Sequence, residues 1–141
     1  MNRILVDTGP LVAVASSGDK YHHLCLATLK EISIPLLTCW PVITEAACLL
    51  RDHPQSVHRL LTSIAQGFLE ILPLPGNESE QISRLMDRYS SLRPQFADVV
   101  LVHLAHRENI DTIFTLDRRD FSVYRTARRR PFRLLPHLTR K

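Results

Sequence analysis

Short apolar runs recur along the chain, and a stretch with helical periodicity separates each from the next. Residues 3–6, 35–38, 68–72 and 112–115 are the clearest runs, with a weaker one at 132–135. Residues 3–6 and 112–115 are apolar and β-branched without alternation, as expected of strands covered on both faces. Between the runs, residues 11–15, 21–32, 42–51, 55–66, 78–92 and 97–108 place apolar side chains at helical spacing. Strands joined through helices cannot be simple hairpins, so the pattern predicts right-handed β-α-β crossovers. The expected fold is α/β: a central parallel sheet of four to five strands with helices on both faces, in a three-layer α/β/α, Rossmann-like arrangement.

Punctuation agrees with this division. Asp7-Thr8-Gly9-Pro10 offers N-cap side chains and an early proline to the first helix, and Pro41 suits the first turn of the third. His53-Pro54 ends that helix, Pro73 to Asn77 ends the third strand, and Arg93-Pro94 separates the last two helices. No linker, repeat or low-complexity tract divides the 141 residues, so a single domain spanning 1–141 is expected.

In open α/β sheets, the functional edge lies beyond the carboxyl ends of the strands. Asp7 and Asp117 each follow an apolar run directly. Glu45 falls near the start of the helix after the second strand, which begins at the same edge. The helix carrying Asp98 feeds into the fourth strand and must run antiparallel to it, which returns Asp98 to Asp117. Taken singly, Asp7 and Asp98 suit helix caps or first turns, and Glu45 suits an exposed helix face. Four carboxylates at one edge repel one another, and a hard divalent cation relieves that repulsion. Oxygen-only ligands favour Mg²⁺ or Mn²⁺, with a substrate phosphate as the natural partner and phosphodiester hydrolysis as the chemistry.

Other patterns carry less. His22-His23 and His103-x-x-His106 lack companion ligands at a zinc spacing. Trp40, Tyr89 and Phe96 suit stacking on bases, but aromatics near helix boundaries are more often packing residues. Cys25, Cys39 and Cys48 form no C-x-x-C pair and fit buried free thiols in a reducing cytoplasm. The apolar start is interrupted by Asp7 and Gly9-Pro10, unlike a signal peptide, and no stretch approaches the ~20 apolar residues of a membrane span. A cytoplasmic protein is expected.

The net charge of +4 hides an asymmetry: residues 1–117 hold nine Lys/Arg against thirteen Asp/Glu, and residues 118–141 hold nine against one. Arg118, Arg119, Arg128, Arg129 and Arg130 are therefore candidate contacts to RNA phosphates. A basic surface that keeps a strand edge from aggregating explains Arg128 to Arg130 equally well.

Leu5-Val6-Asp7-Thr8, Glu45, Ala97-Asp98 and the run from Thr115 through Asp117 and Asp120 to Phe121, in this order, resemble the PIN domain family. Within it they are most similar to the stand-alone VapC-type toxin ribonucleases, over nearly the whole chain. The resemblance implies an Mg²⁺- or Mn²⁺-dependent endoribonuclease, commonly a homodimer held inactive by a cognate antitoxin. It implies Asp7 and Asp98 as direct metal ligands, with Glu45 and Asp117 completing the catalytic pocket. Thr8 and Thr115 would orient carboxylates or phosphate, and Asp120 matches a further acidic position. Two other functions compete: a non-catalytic RNA-binding or protein-interaction module on the same fold, and an aspartate-nucleophile phosphotransferase. The latter's D-x-D pattern is absent, since position 9 is glycine.

Overall fold

The computed structural model describes residues 3–137; Arg140 and Lys141 of the basic tail lie outside that range. Strands β1 (Ile4–Val6), β2 (Leu36–Thr38), β3 (Leu69–Ile71), β4 (Thr112–Phe114) and β5 (Arg133–Leu135) form one sheet in the order β3-β2-β1-β4-β5. Every pairing is parallel. The chain winds outward from β1 to β3, crosses back to β4 beside β1, and continues to β5. The strand order thus reverses between β1 and β4, the point where such sheets open a crevice. There Ile4, Leu5 and Val6 face Thr112, Ile113 and Phe114.

The helices among the described residues are α1 (Thr8–Ala15), α2 (His22–Glu31), α3 (Trp40–Leu49), α4 (Pro54–Ala65), α5 (Ser79–Arg88), α6 (Phe96–Glu108) and the single turn α7 (Arg118–Phe121). Alternate strand side chains divide the core in two. Leu5, Leu37 and Ile113 pack against α5, α6 and the segment bearing Phe121, Tyr124 and Phe132. Ile4, Val6, Leu36, Leu69 and Phe114 pack on the other face against Ala13, Cys25 and Leu60 of α1, α2 and α4. Helix α3 contributes Val42 to the first cluster and Ile43 and Ala46 to the second.

Helix α6 is buried from Ala97 through Ala105, apolar nearly all round, as a helix enclosed by the core must be. It stops at Asn109, whose left-handed φ of 54° turns the following Ile110 N–H back onto the Ala105 carbonyl at 2.9 Å.

Some expectations shift. The strands are three residues long, shorter than the apolar runs, because their ends turn directly into helices or loops. Helix α1 begins at Thr8 rather than Leu11, so Asp7 holds its N-cap position, yet the Asp7 side chain makes no capping bond. Cys25 and Cys39 are buried free thiols, but Cys48 is exposed.

Candidate active site

Helices α1, α3 and α7 begin where β1, β2 and β4 end, and α6 begins at the same edge because it runs antiparallel into β4. Their N-termini bring the positive ends of helix dipoles to one place, a setting that favours anions. The loop between β4 and α7 binds the acids together through Thr115. Its hydroxyl donates to Asp7 Oδ2 at 2.9 Å and accepts from the Asp117 N–H at 3.0 Å. Asp7 Oδ1 is buried with no hydrogen-bond partner among the described residues. Thr8 donates to Glu45 Oε2 at 3.0 Å, and Asp117 Oδ1 caps α7 by accepting from the Asp120 N–H at 3.1 Å.

At a rise of ~1.5 Å per residue, α6 is about twice as long as three-residue β4. Asp98, the third residue of α6, therefore overshoots the strand and meets the α7 turn. One carboxylate oxygen from each of Asp98, Asp117 and Asp120 lies within 4.8 Å of the others. These three, with Asp7, Glu45 and Arg93, line an open crevice of about 460 Å³. A more enclosed cleft of about 310 Å³ between α1, α4 and the sheet is mostly aliphatic and has no acid on its walls.

The acids strain one another. Burial, then the negative fields of Asp7, Asp117, Glu45 and Asp120, push Asp98 up to about 8. Burial raises Asp7 to about 6, opposed by the Thr8 amide and Thr115 hydroxyl and reinforced by Glu45 and Asp117. Burial, then Asp98, Asp120, Asp117 and Asp7, hold the Tyr124 phenol above its usual range. Its hydroxyl, like Asp7 Oδ1, is buried without a partner among the described residues. No Lys or Arg ion pair to any of the five carboxylates occurs among the described residues. Oxygen donors, an orphaned carboxylate oxygen and uncompensated negative charge suit a hard divalent cation.

Asp7, Glu45, Asp98 and Asp117 thus converge as their sequence positions predict, with Thr8 and Thr115 bonded to two of them. Asp120 stands closer to the centre than its sequence position suggests, since it shares the three-acid group from which Asp7 is absent. Arg119 is exposed on α7, whereas Arg118 is half-buried and its Nη2 is buried and unpartnered among the described residues.

Arg128, Arg129 and Arg130 are not brought to the crevice. They occupy a turn closed by the Thr126 N–H on the Arg130 carbonyl at 2.8 Å. The turn is anchored where His106, near the far end of α6, donates to the Arg125 carbonyl at 2.8 Å. They lie toward the opposite edge of the sheet, where β5 begins. The histidine pairs have other roles: His103 bonds Glu78 at 2.6 Å, and His22 bonds the Ala13 carbonyl at 2.8 Å. Sequence patterning missed Arg93 and Gln95, both in the crevice wall. Their place just before the α6 N-terminus was the available signal.

Compared with protein families, residues 4–127 match the PIN domain. Ribonuclease VapC26 of Mycobacterium tuberculosis is 28% identical over 135 residues, covering 94% of this chain and 100% of the relative. The crystal structure of M. tuberculosis VapC20, described as a Sarcin-Ricin loop cleaving toxin, superposes with a TM-score of 0.72. That match has 16% identity and covers 78% of this chain and 86% of the other.

Proposed function

The chain belongs to the PIN domain family, and from that premise we propose that its acid crevice is the active centre of an Mg²⁺- or Mn²⁺-dependent endoribonuclease. The observation that carries this is the convergence of Asp7, Glu45, Asp98, Asp117 and Asp120 on one crevice with no ion-paired cation among the described residues. Asp98, Asp117 and Asp120 present the grouped oxygens that would hold the ion, and Asp7 Oδ1 is free to join them. When bound, the ion supplies charge to activate water and to steady the leaving oxygen.

The protein's own groups set the stage. Thr115 fixes the Asp7 carboxylate and the Asp117 backbone with one hydroxyl, while Thr8 holds Glu45 at the crevice wall. Asp98, raised to about 8 by burial and then by the neighbouring acids, carries a proton in much of the metal-free protein at neutral pH and would release it when positive charge enters. On this reading Glu45 and Asp117, which line the same crevice, would orient an attacking water.

RNA is the substrate on this reading, and the description of VapC20 makes the Sarcin-Ricin loop the first to try. The names of the relatives, a ribonuclease and a toxin of the VapC type, support reading the chain as a toxin, and a cognate antitoxin and a homodimer belong to the same proposal. No helix among the described residues is long and apolar enough to cross a membrane. RNA cleavage measured with Mg²⁺ and Mn²⁺ tests the proposal. Wild type should cut, and Asp7→Asn and Asp98→Asn should lose at least ~100-fold while retaining native circular dichroism. Full activity in both folded variants would remove the crevice from the chemistry.

A further inference from the structure

The crevice wall contains one cationic side chain among the described residues, and it is neither Arg118 nor Arg119 but Arg93. Arg93 is exposed and enters no ion pair among the described residues, although five acids share the crevice. By contrast, Arg107 is spent on Glu78 and Glu108, and Arg3 on Glu108. The Arg93 guanidinium thus keeps its five-donor fork available at the mouth of the site.

Its backbone is unusual as well. Arg93 has φ 50° and ψ 57°, the left-handed region, and it precedes Pro94. Glycine takes that conformation freely, whereas any residue with a Cβ is strained there, and a following proline favours extended backbone instead. The 3-10 turn Ser90–Leu92 ends on this residue through the Arg93 N–H to the Ser90 carbonyl at 3.0 Å. Gln95, two residues on, is the N-cap of α6, whose first turn carries Asp98. The left-handed residue therefore sets a guanidinium beside the positive end of the helix that supplies a principal acid.

Resting on the ribonuclease reading, we infer that Arg93 is a substrate-binding residue that grips an RNA backbone phosphate beside the scissile one. A guanidinium facing a phosphate makes paired charge-assisted hydrogen bonds. An acid-lined crevice otherwise repels a polyanion, so a cation at its mouth steers the backbone into register with the acids.

Arg93→Gly separates this role from a structural one, because glycine fits φ 50° and removes only the side chain. Binding is read by fluorescence anisotropy of a labelled RNA stem-loop in the Asp98→Asn full-length protein, with and without Arg93→Gly. The inference expects an unchanged or higher melting temperature, affinity weaker by about tenfold, and a salt dependence reduced by about one phosphate contact. Arg93→Lys should restore the salt slope but only part of the affinity. Equal affinity and slope in Arg93→Gly would overturn the inference even if wild type cleaves RNA. Loss of binding in Arg93→Gly, with wild type unable to cleave any RNA, would uphold the phosphate contact and overturn hydrolysis. RNA binding by neither protein would overturn both.

Discussion

Thr115 links two acids through one hydroxyl, donating to Asp7 and accepting from the Asp117 amide, and its full burial shields both bonds from water. Asp98 has no comparable support and meets mainly burial and like charge. Its carboxyl is raised from an ordinary 3.8 to about 8, so the folded protein retains a proton that the unfolded chain has lost. Stability of the metal-free protein from this group is therefore complete below about 4 and falls as pH rises toward 8. Asp98→Asn removes the effect. In EDTA at pH 8 it should melt above wild type, on the order of 5 °C, with the gap closing toward pH 4. An equal or lower melting temperature at pH 8 would show that Asp98 is not under this strain.

Among the elements, α6 has two tasks. Its buried length joins α5 to the sheet, and its first turn delivers Asp98. Leu101→Ala at its fully buried centre should cost about 2–5 kcal/mol in urea unfolding. A cost under ~1 kcal/mol would mean that the helix is not the keystone of this layer. The direction of α6 was legible from its position before an apolar run, and so was the return of Asp98 to the sheet edge. Its overshoot was not, because strand length depends on where tertiary contacts end the ladder. That is why Asp120, reached only by the overshoot, ranked below Asp7 from sequence. Asp7 itself looked like a helix cap in the chain, and its carboxylate turns to Thr115 instead, a partner 108 residues away.

At the scale of the whole molecule, the parallel sheet with its strand-order reversal does most to unite residues from four parts of the chain. Alternating strand and helix patterns made that topology legible, because parallel neighbours need crossovers. Charge counting was weaker, since it showed a basic C-terminal part but not which edge of the sheet it occupies. Arg128, Arg129 and Arg130 fall toward the far edge, while Arg93, from the acidic part, reaches the crevice. The central claim is metal-assisted hydrolysis by this crevice, and the ends of the cut RNA test it most directly. Cleavage of an RNA stem-loop in Mg²⁺ or Mn²⁺ should leave 3′-hydroxyl and 5′-phosphate ends and cease in EDTA. Cyclic 2′,3′-phosphate ends, or cleavage that persists in EDTA, would contradict the account.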